Sequence, residues 1–315
     1  MKKFIKAIPM ATPGLALGLA ALGNLLNFPV MFEHAATIRY ICGVLAVIVL
    51  LIFALKLIFD WPHAREELKT PVPLSVLPTA TMAIMLLATY IRPHVPEVAL
   101  VVWYTGLVVH VLIMLLFIWR FVIGFKLGTV FPSWFIVAVG IVTASVTAPA
   151  MGALHIGQII FYVGLVLYII TLSLVIVRMN KVRVFPEPAR KTVAIFTAPA
   201  ALLTVGYFSS FISQGQGVPQ LVYVLVSIAT LCYIYVCFMI IVELRKIDFY
   251  PTYAAFTFPL VISALAFRLG ANFLVTRYSL YFLPIIANVT MWIAVAAVVF
   301  VVLHYIKYFR FWLKF

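Results

Sequence analysis

Charged side chains are scarce in this sequence, and acidic ones are the scarcest. Only 10% of the 315 residues are charged and 66% are hydrophobic, a composition that soluble domains do not have. All eight acidic residues fall between the long apolar runs or at their ends. Cation channels and most proton-coupled or sodium-coupled transporters need a carboxylate inside an apolar segment. The sequence therefore argues against these classes and leaves anions or neutral solutes as cargo.

Several other signals are missing. The three cysteines, Cys42, Cys232 and Cys237, lie within apolar runs and have neither a paired framework nor metal-ligand spacing. No aspartate cluster could hold magnesium diphosphate, and no pair of histidines shares a helical face. We therefore expect no enzyme, no metal and no cofactor. No basic run interleaves with aromatic residues, so nucleic acid is not an expected partner.

What the chain has in abundance is long apolar segments. Ten of them are each about 20 residues long, which suits helices that cross a hydrocarbon core about 30 Å thick. The sequence thus predicts an all-α integral membrane protein with ten transmembrane helices. Their expected bounds are 9–30, 38–59, 72–91, 97–119, 131–150, 154–177, 192–213, 219–242, 251–274 and 279–305.

The basic residues predict the orientation of these helices. All but four of the 22 Lys and Arg lie at the amino end, in loops after even-numbered segments, or in the carboxyl tail. The exceptions are Arg39, Arg92, Arg268 and Arg277. The positive-inside rule then places both termini in the cytoplasm of a bacterial-type inner membrane. The amino end MKKFIKAIPM lacks the features of a cleaved signal peptide, so we read it as the start of the first span.

Prolines mark an internal repeat. Each odd-numbered segment opens near a proline, and these prolines recur about every 60 residues, the length of one helical hairpin. They are Pro13, Pro71, Pro132, Pro188 and Pro251. The chain is therefore expected to form one transmembrane domain over residues 1–315, built from hairpins at about 9–59, 71–119, 131–177, 188–242 and 251–305.

Composition alternates with the same period. Odd segments are rich in Ala, Gly, Ser, Thr and Pro, whereas even segments carry large aliphatic and aromatic side chains. Small residues permit close helix approach, and proline frees backbone groups that a membrane tolerates only inside protein or beside a cavity. Five inner helices surrounded by five outer ones follow, either around a pore or as a tight bundle without one. The candidate pore-lining residues are Gly14, Gly18, Pro78, Thr81, Gly140, Ser145, Ala198, Pro199, Thr204, Pro259 and Ser263.

One odd segment, YAAFTFPLVISALAFRLGANF at 253–273, carries two phenylalanines in a run of small residues. At 100° per residue, Phe256 and Phe258 lie about 200° apart on a helix. The two side chains therefore cannot face the same partner, and one can point to the axis of the inner helices while the other packs outward. Pro259 favours a bend at this depth. A large aromatic side chain beside a kink is a candidate plug for a narrow pore.

Five short motifs carry a resemblance to a known family: GLALGLAAL at 14–22, EELKTPVP at 66–73, FPSWF at 131–135, EPARKTVAIFTAPA at 187–200 and AAFTFP at 254–259. In order and spacing they resemble the tellurite-resistance/dicarboxylate transporter family, which includes bacterial TehA-like proteins and the plant guard-cell slow anion channels. The resemblance implies a quasi-fivefold fold of five hairpins, one central pore per subunit lined by the inner helices, and a homotrimer. It also implies that Phe258 is the gate, that Pro259 sets the bend and that Phe256 faces away.

The expected function is a gated anion channel, or a channel-like anion exporter, that passes small monovalent anions. A narrow and nearly uncharged pore favours anions that lose water easily. The alternative is a carrier for a four-carbon dicarboxylate such as malate, or for sulfite, or a tellurite-resistance transporter. No arginine pair within the apolar segments offers bidentate binding to two carboxylates. Small inorganic or organic anions and membrane lipid are the expected partners.

Overall fold

Helices form the regular structure of the chain. The computed structural model describes residues 2–27, 33–182, 191–242 and 250–314, and these ranges contain no strand. The expected start of the fourth hairpin at Pro188 lies outside them. The α-helices, in chain order, are α1 Lys2–Ala7, α2 Thr12–Leu26, α3 Ala35–Phe59, α4 Trp61–Glu67, α5 Pro71–Val76, α6 Thr79–Ile91, α7 Pro96–Phe117, α8 Trp134–Val139, α9 Val142–Met151, α10 Leu154–Lys181, α11 Ala198–Ser210, α12 Pro219–Val242, α13 Phe258–Tyr278 and α14 Leu283–Leu313.

Shorter helical turns extend several of these elements. A π-helical turn, Ile118–Val122, continues α7, and short 3₁₀ helices occupy Leu127–Thr129, Lys191–Thr197, Ile212–Gln214 and Pro251–Phe256. Within the described ranges, nine helical segments are long and apolar enough to cross a membrane, and α2 is a shorter apolar helix of 15 residues. The all-α, multi-pass membrane architecture expected from the sequence is confirmed.

Five small-residue segments form a closed inner ring. Its members are α2, the α5–α6 pair, the α8–α9 pair, Lys191–Gln214 and Pro251–Tyr278. Around the ring, α2 packs on α6, α6 on α9, α9 on α11, α11 on α13, and α13 returns to α2. The bulky helices α3, α7, α10, α12 and α14 each pack outside the inner segment that precedes them. The arrangement is thus quasi-fivefold, with each hairpin contributing one inner and one outer helix.

Burial separates the two sets of helices. In the inner segment Lys191–Gln214, 89% of the most apolar window is buried, but only 22% is buried in the outer helix that follows, α12. Small side chains let the inner helices approach one another, and many large apolar side chains of the outer helices are exposed on the outside of the molecule. Sequence composition therefore decides which helix of each hairpin lies inside.

Four of the five inner segments change their helical geometry part-way along. The α5–α6 pair breaks between Val76 and Thr79, and the α8–α9 pair breaks between Val139 and Val142. The fourth and fifth inner segments begin as 3₁₀ helix and become α-helix at Ala198 and Phe258. Prolines in or beside the first turns of α2, α6, α11 and α13 restrict the backbone there. Together with the start of α2, these breaks bring the beginnings of α2, α6, α9, α11 and α13 around a common axis.

Candidate ion pathway

A small cavity of about 60 Å³ lies where the five inner segments meet. Every inner segment contributes to its wall, so the cavity sits on the axis of the ring and not between one pair of helices. No charged side chain belongs to the wall that the described residues form. The lining residues are Ala11, Gly14, Leu17, Val76, Thr79, Met82, Phe135, Ile136, Val139, Gly140, Thr192, Ile195, Ala198, Pro199, Leu202, Thr252, Ala254, Ala255, Phe258 and Pro259.

Helix amino ends surround this cavity. Four wall residues belong to the first turns of helices: Gly14 of α2, Thr79 of α6, Ala198 of α11 and Phe258 of α13. A fifth, Gly140, immediately precedes Ile141, the N-cap residue of α9. None of the five N-cap residues makes a side-chain capping hydrogen bond. The amino end of a helix carries a partial positive charge. The wall therefore offers positive potential from the backbone without a fixed charge.

The two phenylalanines of the fifth inner segment occupy different surroundings. Phe258 is 5% exposed and lines the axial cavity together with Pro259. Phe256 is also buried but is not part of the cavity wall. Its ring packs against that of Tyr253, with the centroids 5.3 Å apart. Because the chain passes from 3₁₀ to α-helix between them, the two side chains point to different neighbours.

Six of the residues that sequence reasoning selected come together at the cavity. They are Gly14, Gly140, Ala198, Pro199, Phe258 and Pro259. Gly18 lies one turn beyond Gly14 and instead contacts α13, since a Cβ at this position would come within 2.4 Å of the Thr257 side chain. Pro78 is buried at the N-cap of α6. Both residues act in helix packing and helix initiation beside the cavity.

The four selected hydroxyl residues lie away from the cavity wall. Thr81, Thr204 and Ser263 donate to carbonyl oxygens of their own segments, at 2.7 Å to Pro78, 2.8 Å to Ala200 and 2.8 Å to Pro259 respectively. The hydroxyl of Ser145 lies 3.1 Å from that of Ser210 on the neighbouring inner helix. Such back-bonding is usual for Ser and Thr in membrane helices. These hydrogen bonds occupy the hydroxyl groups that would otherwise donate to an anion.

Sequence reasoning missed several wall residues. Apolar side chains such as Leu17, Met82 and Phe135 line the cavity. An apolar residue on an apolar helix gives no sign of facing a cavity. The signal that could have found them is position, because they lie within about two turns of the helix breaks.

A buried lysine also lies one residue from the cavity wall. The Lys191 side chain is fully buried, and its Nζ lies 3.8 Å from the centroid of the Tyr253 ring. The ammonium also donates to the Tyr253 hydroxyl. These contacts join the beginnings of the fourth and fifth inner segments by a cation–π interaction. The residue next to each partner, Thr192 and Thr252, lines the cavity.

Comparison with known proteins adds a family to this geometry. The model of the SLAC1 family, described as voltage-dependent anion channel, matches residues 5–311 and so spans nearly the whole chain. A search of curated proteins found no match.

Proposed function

Because the chain belongs to the SLAC1 family of voltage-dependent anion channels, we propose that it conducts small monovalent anions along the axis of its inner ring, with Phe258 as the gate. The family is one of channels and transporters and not of enzymes. The observation that carries the proposal is the position of Phe258, a large ring in the wall of a cavity to which all five inner segments contribute. Most of its neighbours across the axis are small or aliphatic.

The cavity suits an ion that has lost part of its water. A volume of about 60 Å³ has room for a few water molecules, at about 10–15 Å³ each by the same measure. A fully hydrated ion is larger than this. Anions with weak hydration, such as nitrate, should therefore pass more readily than chloride, and both more readily than malate.

Backbone electrostatics support a preference for anions. The first turns of α2, α6, α11 and α13, together with Gly140 just ahead of α9, face one small apolar cavity, where partial positive helix ends are poorly screened. The helical pieces that precede α6 and α9 are only six residues long, so their opposing dipoles are weaker. A fixed charge on the axis would bind an anion too tightly to release it, whereas spread partial charges attract it weakly.

Finer features of the proposal come from the sequence. The distribution of Lys and Arg supports a bacterial inner membrane with both termini in the cytoplasm. Trimeric assembly with one pore in each subunit is proposed from the family resemblance, and the large apolar side chains on the outer helices would serve a subunit contact or lipid equally.

The test is anion flux through purified protein in liposomes, with chloride, nitrate, sulfite and malate compared. Phe258→Ala should raise chloride and nitrate flux by an order of magnitude or more, because it removes the ring from the axis. Phe256→Ala is the matched control, since it deletes the same ring two residues away, off the cavity. Equal flux through both variants would refute Phe258 as the gate. No gain in Phe258→Ala, with saturable malate or sulfite exchange in the wild type, would refute the channel.

A further inference from the structure

An apolar groove of about 450 Å³ lies on the outward face of the molecule, away from the axial cavity. It is lined by the outer helices α3 and α7, with the inner helix α6 as its floor. Ile84, Leu87 and Ile91 of α6 are only half-buried, although α6 belongs to the inner ring. The lining residues are Tyr40, Gly43, Val44, Val47, Ile48, Ile84, Leu87, Tyr90, Ile91, His94 and Val102.

One end of the groove is polar. The Tyr40 hydroxyl lies 2.8 Å from Nε2 of His94, which follows the carboxyl end of α6. Beside them, the Arg39 guanidinium lies 4.2 Å from the centroid of the Tyr90 ring, which also lines the groove. Arg39 donates from Nε to Asn24 and from Nη2 to Thr89.

The groove thus has the polarity of a lipid molecule. Its polar end coincides with the end of a membrane-spanning helix, where tyrosines and arginines meet lipid headgroups. A guanidinium nitrogen, a phenol and an imidazole are suitable partners for a phosphate. The remainder of the groove is almost entirely aliphatic and faces the hydrocarbon.

We propose that this groove binds a phospholipid, with its acyl chains between α3 and α7 on the floor of α6 and its phosphate at Arg39, Tyr40 and His94. Counted at about 10–15 Å³ for each water-sized group, as for the axial cavity, the groove of about 450 Å³ has room for about 30–45 methylenes, enough for two acyl chains. The distance from Tyr40 to Ile48 along α3 is about 12 Å.

The polar end of the groove favours lipid over a second copy of the chain, because a phosphate there would meet the Arg39 guanidinium, the Tyr40 phenol and the His94 imidazole. Ile84 is five residues from Thr79 in the axial cavity wall, so a bound lipid would touch the inner ring directly.

Lipid retention by the purified protein tests the proposal. Val47→Trp places an indole in the groove, and Val163→Trp is the matched control, because Val163 lies on outer helix α10 outside the groove and has the same exposed fraction, 42%. Each protein, in detergent, is mixed with palmitoyl-oleoyl phosphatidylglycerol and examined by native mass spectrometry. We expect the wild type and Val163→Trp to retain one phospholipid per subunit. Val47→Trp should bind it at least about tenfold more weakly, the factor expected from loss of about two buried methylenes.

A second variant covers a failure of Val47→Trp to fold. Tyr40→Phe keeps the ring and the apolar floor but removes the hydroxyl that meets His94, and it should also lower phospholipid retention. Equal retention by the wild type and both groove variants would overturn the proposal. Dispersal of an oligomer by Val47→Trp with unchanged lipid retention would overturn it too, because the groove would then be a subunit contact. These readouts do not depend on anion conduction.

Discussion

Gly18→Ala is the sharpest test of how the inner ring holds Phe258. At this residue α2 and α13 approach so closely that a Cβ would lie 2.4 Å from both Cβ and Oγ1 of Thr257, and 3.1 Å from the backbone nitrogen of Phe258. Side-chain carbons do not approach each other within 3.0 Å. The extra methyl group must therefore push the Thr257–Phe258 segment away from α2, and with it the proposed gate.

The size of the effect follows from two opposing contributions. Overpacking a tight contact costs about 1–3 kcal/mol, whereas Gly→Ala inside a helix gains about 1 kcal/mol. The net loss should be about 0–2 kcal/mol of the free energy of unfolding, which lowers the melting temperature of the detergent-solubilised protein by up to a few degrees. Resting anion flux in liposomes should rise, because the displaced segment carries Phe258.

Gly14→Ala is the graded control. Its added Cβ would meet only the Ala254 Cβ, at 3.2 Å, so the gain in helix propensity should offset a small adjustment and leave stability nearly unchanged. In the Gly18→Ala background, Thr257→Gly removes both overlapping atoms and should restore part of the loss, whereas Thr257→Ser retains both and should not. Gly18→Ala with wild-type stability and flux, or strictly additive effects with Thr257→Gly, would refute the packing argument.

Two further predictions concern polar groups outside the ion pathway. Trp103 is fully buried and donates from Nε1 to the Thr147 hydroxyl at 2.7 Å. Trp103→Phe should therefore lower the free energy of unfolding by about 1–2 kcal/mol. Trp119→Phe, at an exposed site, should change it by less than about 0.5 kcal/mol. The buried Lys56 ammonium donates to a carboxylate at 2.5 Å and to a backbone carbonyl at 2.7 Å; Lys56→Met should cost about 1–3 kcal/mol. The exposed ion pair of Lys69 offers the comparison, because Lys69→Met should cost less than about 1 kcal/mol. Thermal unfolding in detergent measures all four, and equal losses within either pair would contradict the burial argument.

Much of the architecture could be predicted from the sequence, because composition differs between the two helices of each hairpin. Small residues permit the close contacts of the inner ring, such as that of Gly18 with Thr257, and large apolar side chains are compatible with lipid. Period and composition therefore suffice to separate inner from outer helices. They do not depend on any long-range contact.

The rotation of each inner helix could not be predicted in the same way. Thr79 and Thr81 are two residues apart, so they face opposite sides of α6, and only Thr79 lines the cavity. A hydroxyl in a segment of small residues gives no rotational signal, since it satisfies itself on its own helix. Phe256 and Phe258 pose the same problem, because helical spacing places them on opposite faces and does not say which of the two faces the axis. The choice between them came from the resemblance to a family, and the helix break between them separates their surroundings.

The closed ring also bears on whether transport is by a pore or by alternating access. A carrier of that kind usually rocks one half of the molecule against the other around a central site. Here each inner segment packs on both of its neighbours, α13 returning to α2, and the contacts show no plane between two halves. Rotation of one side chain on the axis disturbs no helix contact, whereas rocking would break two. We therefore expect no counterflow: unlabelled malate or sulfite on one side of a liposome should not accelerate uptake of labelled anion from the other. Clear trans-stimulation would mean that the ring opens along two of its contacts and that the protein is a carrier.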